Sequence, residues 1–329
     1  RYMNKEEIVR LLKEKDDYVS GQELCEYFGV SRTAVWKAIK QLEKDGYQIE
    51  AVNNKGYRLM ESDDMMSAIE ISANIDTKWV ARNLVYHKET GSTNLDVKAL
   101  AEEGKPEGTL VVADMQTTGR GRRGRAWISP SGEAIYMSLL LRPDCNPDKA
   151  SALTLVMALA VVEALEEIDP DGCGIKWPND VVMNGKKVCG ILTEMSAELD
   201  AIHYVVVGVG INVNQPSFEG ELADRATSLY MELGRKVNRS RFIARVMHYF
   251  EQEYEIFQKT YDLSGLVDTY NKYLLNREKK VRVLDPKGEY EGIARSINEK
   301  GELLVEKEDG EIVAVYAGEV SVRGIYGYV

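Results

Sequence analysis

The sequence predicts a multidomain α+β chain, and three stretches predict it. Residues 20–46 hold two short helical patterns around a glycine turn, followed at 47–59 by a hairpin pattern. Residues 83–275 mix strand and helix periods. From residue 280 onward, short strands alternate with glycine turns. These read as an N-terminal winged helix-turn-helix, a mixed core and a small β-barrel-like module, bounded at 1–63, 64–278 and 279–329. A length of 329 residues suits two or three such domains.

Residues 4–15 predict an amphipathic helix with Ile8, Val9, Leu11 and Leu12 inward. Ser20 is placed to cap a short helix holding Leu24 and Tyr27. Gly29 stands where a tight helix–helix turn needs positive φ, and Ser31 caps the next helix. Val35, Ile39 and Leu42 form its buried stripe. That leaves Ser31, Arg32, Thr33, Trp36 and Lys37 on the end and faces where such a helix reads bases. Asn53 to Gly56 turn the hairpin that makes the wing. The other reading is a helical adaptor with no DNA role. Residues 61–76 look like a boundary.

In the core, residues 84–86 predict a strand, and Gly91, Ser92, Thr93 and Asn94 open a helix through Ala101. Taken alone, Ser92 and Thr93 read as simple N-caps. Residues 109–113 form a buried strand that delivers Asp114, Met115 and Gln116 to a loop, 117–127, with the sequence TTGRGRRGRAW. This loop packs Gly119, Gly121 and Gly124 among Arg120, Arg122, Arg123 and Arg125. Glycine allows close backbone approach, and guanidinium forks bind carboxylate and phosphate. The loop reads as a mobile lid over an anion, or else as a solvated basic patch. Residues 134–141 predict a strand and 149–168 a long apolar core helix. A strand ending in Lys176, Trp177, Pro178, Asn179 and Asp180 gathers a cation, an aromatic, an amide and a carboxylate at one strand end. A turn at Asn184 and Gly185 returns the chain through Lys186 and Lys187, which must face opposite ways. Residues 203–209 read as a buried central strand ending in Gly208, Gly210 and Asn212. Residues 240–275 form one or two helices, and strands follow at 281–284, 290–293, 303–305, 312–315 and 320–322.

Net charge is −11, unevenly spread: residues 1–60 carry 11 Lys and Arg against 10 Asp and Glu, the remainder 31 against 43. An acidic body binds DNA weakly, so DNA contact falls to the N-terminal piece. The four cysteines contain no CxxC pair, which excludes a zinc or disulfide scaffold and fits a cytoplasmic protein. The three scattered histidines exclude a histidine-centred triad. No apolar run is long enough to span a membrane. Arg1 and Tyr2 precede Met3, which reads as the native start.

Four motifs carry a family resemblance over nearly the whole chain: Gly91 to Asn94, the Gly/Arg lid, KWPND at 176–180, and Lys187 to Leu192 followed by Glu194. The chain resembles the bifunctional biotin protein ligase and biotin operon repressor family. The resemblance implies a core like class II aminoacyl-tRNA synthetases and an SH3-like C-terminal barrel. It implies formation of biotinyl-5′-AMP from biotin and ATP with Mg2+, then transfer to a lysine of a biotin carboxyl carrier protein, as in acetyl-CoA carboxylase. It implies repression at operator DNA by an adenylate-bound homodimer. On the residues, it implies that Ser92, Thr93, Asn94, Gln116, Arg120, Gly121, Arg122 and Lys187 hold biotin. Arg122, Trp127, Lys176, Asn179, Lys187 and Asn212 would meet the nucleotide, with Trp127 against the adenine. Lys187, Arg120 and Arg122 would be catalytic, and Asp180 would stand at a magnesium or base position. A ligand-sensing regulator without catalysis and a lipoate-type ligase are the alternatives.

Overall fold

Ser31 accepts the amide N–H of Ala34 at 3.3 Å, and Gly29 sits at φ 66, so the caps read from the sequence define the first unit. The computed structural model describes residues 3–317 and 321–324. The chain divides into two compact units, 1–75 with 238–244, and 76–237 with 245–329.

The first unit runs α1 (Lys5–Lys15), α2 (Gly21–Phe28), α3 (Arg32–Lys44), β1 (Ile49–Val52), β2 (Gly56–Leu59) and α4 (Ala68–Asn74). Ile8, Val9 and Leu12 of α1 pack with Leu24, Phe28 and the α3 stripe Val35, Ile39 and Leu42. Each such fully buried side chain contributes about 1.5–3 kcal/mol of apolar burial. In α2 the inward aromatic is Phe28, while Tyr27 is exposed. β1 and β2 pair antiparallel as the wing, and β2 is stitched on its other side to Val19. Residues 61–76 hold more order than a linker. α4 is pinned by buried Glu70, which accepts from Tyr47 Oη at 2.7 Å and pairs with Lys13. Asp64 forms a buried ion pair with Arg239 at 2.7 Å.

The second unit contains β3 (Asn83–His87), α5 (Thr93–Glu102), β4 (Thr109–Ala113), β5 (Ala134–Leu141), α6 (Ala152–Glu166), β6 (Cys173–Lys176), β7 (Asp180–Met183), β8 (Lys186–Ala197) and β9 (Ile202–Asn212). Its strands form one mixed sheet in the order β3-β4-β5-β9-β8-β7-β6, in which β3 and β4 run parallel and the other neighbours antiparallel. β4 and β5 are buried along their whole length, as continuous apolar runs require. α6 is buried almost all round and packs over β6, β7 and β8. It starts at Ala152 because 147–149 form a separate 3-10 turn. β9 is longer than its apolar run, so Gly208 and Gly210 lie inside the strand. α7 (Leu229–Leu233), α8 (Arg239–Phe257) and α9 (Val267–Tyr273) follow.

The C-terminal strands β10 (Lys280–Leu284), β11 (Tyr290–Ile297), β12 (Leu303–Glu306), β13 (Ile312–Val315) and β14 (Ser321–Gly324) form one antiparallel sheet, ordered β13-β12-β11-β10-β14. Val320, expected to begin the last strand, lies outside the described residues.

Candidate active site

The end of β4, the start of α5 and the facing strands β8 and β9 enclose a cavity of about 290 Å³. A continuous hydrogen-bond chain lines one wall. Gln116 Nε2 donates to Ser129 Oγ at 3.2 Å, and Gln116 Oε1 accepts from the Thr93 amide at 2.9 Å and from its hydroxyl at 3.2 Å. Thr93 Oγ1 meets Ser138 Oγ at 2.7 Å, and Ser138 donates to Asn94 Oδ1 at 2.6 Å. Asn94 Nδ2 donates to Glu194 at 2.7 Å, where Lys98 Nζ also arrives at 2.8 Å. Burial raises the Glu194 carboxyl, but hydrogen bonds from Lys98 and Asn94 together with the Lys98 and Arg120 charges hold it below its usual range. Ser92 occupies the N-cap position of α5 without making the cap hydrogen bond. Gln116 serves the Thr93 amide, which precedes the amides an N-cap side chain takes. The simple capping role therefore does not hold for Ser92, whose side chain is left lining the cavity.

The lid is a tight hairpin rather than an open loop. Gly121 N–H donates to the Arg125 carbonyl at 2.7 Å, and Trp127 N–H to the Gly119 carbonyl at 2.9 Å. At its base Trp127 lies over two adjacent strands where no side chain stands in the way. A Cβ at Gly210 would be 2.8 Å from the indole, and one at Gly190 3.0 Å from it. Lys187 Nζ sits 5.2 Å from the centre of the same ring and 2.7 Å from Asp180 Oδ1. The β7–β8 register shifts beside Lys187, and the two lysines part as strand alternation demands. Lys186 reaches the Ala223 carbonyl, while Lys187 lines the cavity. Arg122 donates to Asn179 Oδ1 at 3.2 Å and to the Ala317 carbonyl at 3.0 Å. Burial lowers its guanidinium pKa, against the pull of Asp180.

A second cavity, about 930 Å³, opens on the far side of Lys187. Arg125, Lys176, Arg225 and Arg323 join Arg122, Arg123 and Lys187 around it, against Asp180, Glu221 and Asp224. Burial pushes the Lys176 ammonium down to about 8, opposed by Asp180 and reinforced by Lys187, Arg323 and Arg125. Gly121, Arg122, Arg123, Trp127, Asn179 and Lys187 line both cavities. The arrangement is a hydrogen-bonding chamber and a cationic chamber meeting at an ammonium and a guanidinium.

A Bacillus subtilis (strain 168) protein named bifunctional ligase/repressor BirA is 42% identical over 307 residues, covering 93% of this chain and 94% of its own length. The chain belongs to the bifunctional biotin ligase/repressor family. The Escherichia coli (strain K12) protein of the same name is 32% identical, covering 93% of this chain and 94% of its own. The Biotin/lipoate A/B protein ligase family model matches residues 86–212, an HTH domain model 4–58 and the biotin protein ligase C terminal domain model 278–323. The structure described as biotin protein ligase from Aquifex aeolicus in complex with biotin and ATP is 36% identical with a TM-score of 0.64, covering 74% of this chain and 99% of that one.

Within this ligase, Ser92, Thr93, Asn94, Gln116, Arg120, Gly121, Arg122, Trp127, Asn179 and Lys187 line the smaller cavity, and Lys176 and Asp180 line the larger. Asn212 joins neither. It is buried at the end of β9, and its Oδ1 accepts from Gln215 at 3.1 Å. Lys98, Ser138, Arg225 and Arg323 stand in or beside the site without having been singled out in the sequence. Lys98 reaches Glu194, the residue that closes the fourth motif, across 96 residues of sequence. In the first unit Ser31, Arg32, Thr33, Trp36 and Lys37 are all exposed. Among the described residues no helix is long and apolar enough to cross a membrane.

Proposed function

We propose that this ligase condenses biotin with ATP to biotinyl-5′-AMP, then transfers biotin to a lysine of a biotin carboxyl carrier protein. The meeting of the two chambers at Arg122, Asn179 and Lys187 carries the reading. Biotin's polar ring system takes the smaller chamber against Ser92, Thr93, Asn94 and Gln116, and its aliphatic tail runs past Ile191, Leu192 and Val209. Its carboxylate reaches Lys187, Arg120 and Arg122. The ATP phosphates take the cationic chamber with Lys176 and Asn179, and Trp127 stands beside the adenine. Asn212 supports the nucleotide side only if the chain after β9 rearranges.

The chemistry needs no protein nucleophile. A biotin carboxylate oxygen attacks the α-phosphorus, the bond to the bridging oxygen breaks and pyrophosphate leaves. The neutral acceptor amine then attacks the acyl carbon, AMP departs with the C–O electron pair, and one proton is released. Lys187 acts by charge, held in place by Asp180. The lid keeps water from the mixed anhydride. Mg2+ enters with the nucleotide, since it keeps water and phosphate oxygens as its main ligands. Asp180, the candidate magnesium or base position, is engaged by Lys187, and a Mg2+ carried by the phosphates would need only one or two protein carboxylates.

The same reading makes the chain a cytoplasmic repressor of biotin synthesis and transport genes. Residues 1–63 bind operator DNA through Ser31, Arg32, Thr33, Trp36 and Lys37, residues 64–278 catalyse, and residues 279–329 complete the ligase. The adenylate acts as corepressor by promoting a homodimer that spans paired half-sites. Operator binding unchanged by biotin plus ATP overturns this part.

For the enzyme, the test is biotin-dependent exchange of labelled pyrophosphate into ATP in wild type and Lys187→Ala. Exchange that requires biotin and falls by about a hundredfold in the variant supports the reading. Exchange with lipoate or octanoate but not biotin changes the substrate. No exchange with any acid leaves a ligand-sensing regulator.

A further inference from the structure

The strand that leads into Lys176 and Asn179 is β6, the edge of the core sheet. An edge strand has one side without a ladder partner and is the least constrained in its sheet. Here that side is met by residues 274–276. Leu274 bridges Ile175 in parallel, and Leu275 N–H donates to the Ile175 carbonyl at 2.9 Å. Gly174 permits this approach, because a Cβ there would lie 2.5 Å from Leu275 Cγ and 2.9 Å from the Tyr273 carbonyl oxygen.

Asn276 follows directly. Its Oδ1 accepts the backbone N–H of Trp177 at 2.8 Å. The Trp177 indole N–H donates to the Gly301 carbonyl at 3.0 Å, in the turn between β11 and β12. Asn276 is 0% exposed and Trp177 1%, so neither donor has water as a substitute acceptor. Asn276 Nδ2 is buried with no hydrogen-bond partner among the described residues, so the oxygen is what the side chain contributes here. Lys176 and Asn179 flank Trp177 closely in sequence, and both line the cationic chamber. Their placement therefore depends on two acceptors 99 and 124 residues away from Trp177 in sequence.

We propose that Asn276 is a positioning residue for the nucleotide side of the site. It fixes the main chain at Trp177, Gly301 fixes the indole, and together they set where Lys176 and Asn179 stand. This rests on the reading that ATP occupies the larger chamber. Removing the Asn276 oxygen leaves the biotin wall of Ser92, Thr93, Asn94 and Gln116 intact and displaces only the KWPND strand end.

The experiment measures biotin-dependent pyrophosphate exchange, biotin affinity by calorimetry and thermal midpoint for wild type, Asn276→Ala and Trp177→Phe in the full chain. Trp177→Phe keeps the backbone bond to Asn276 and most of the ring volume, so it guards against a variant that fails to fold. The expected result is a KM for ATP raised by about tenfold or more in Asn276→Ala, less in Trp177→Phe, with biotin affinity unchanged. A KM for ATP at the wild-type value in both variants overturns the inference. So does a parallel loss of ATP and biotin affinity that follows a lowered midpoint, the signature of general unfolding. A wild type without exchange overturns the underlying reading as well, which separates the two failures.

Discussion

The Lys187 ammonium lies 2.7 Å from the Asp180 carboxylate, at the junction of the two chambers and over the Trp127 ring. The ion pair joins neighbouring strands β7 and β8, so the cation stands where the sheet puts it rather than where a flexible side chain wanders. Asp180→Asn keeps the charge of Lys187 and loses its tether. Adenylation is expected to fall by about tenfold, against about a hundredfold for Lys187→Ala. Biotin-dependent pyrophosphate exchange measures both, and equal losses would show that the aspartate does more than orient.

Under the proposed function, Lys176 gives the cationic chamber a pH limb. Its ammonium pKa is pushed down to about 8 by burial, so the proton leaves as pH rises through that value. The cationic chamber then weakens, and kcat/KM for ATP, which reports the free enzyme, is expected to fall above about pH 8. Lys176→Arg removes that limb. The linked effect on stability has the opposite sign. A lysine whose folded pKa is lowered costs stability while charged, and that cost fades between about 8 and the ordinary lysine value of 10.5. An unchanged ATP profile in Lys176→Arg would assign the limb to another group.

Glu163 on α6 and Glu253 on α8 make a buried carboxyl pair away from the site. Burial, and then the neighbouring Glu253, raises Glu163 to about 8, and burial raises Glu253 as well. The folded state therefore holds more protons than the unfolded one between the ordinary carboxyl value of 4.5 and about 8. Stability falls as pH rises through that window. Glu163→Gln keeps a neutral side chain and is expected to flatten the slope of thermal midpoint against pH while leaving pyrophosphate exchange intact. A slope unchanged in this variant would remove the pair as its source.

Local spacing made the first unit legible. Ser31, Gly29 and the stripe Val35, Ile39 and Leu42 stand where a single turn of reasoning puts them, because caps and helix period are short-range. The lid and the KWPND strand end were legible as clusters of charged and polar groups for the same reason. What escaped was long-range. Ser92 makes no cap bond, and Gln116 reaches the start of the helix from another element. Asn212 was assigned to the nucleotide by the resemblance alone; the glycines beside it, Gly208 and Gly210, clear the floor for Asn94 and Trp127, and Asn212 accepts from Gln215. No spacing rule connects Asn276 to Trp177 across 99 residues.

Arg122 has a further consequence. Its guanidinium donates to the Asn179 side chain and the Ala317 carbonyl, and the Asp180 carboxylate acts on it as well. Under the proposed function, an anion captured there competes with the oxygens that Arg122 already meets. A neutral molecule offers only another neutral oxygen, whereas a carboxylate or phosphate forms charge-assisted bonds roughly twice as strong. The lid thus responds to the ionisation state of its visitor: an esterified or amidated analogue, correct in shape, would enter the chamber and leave the latch undisturbed.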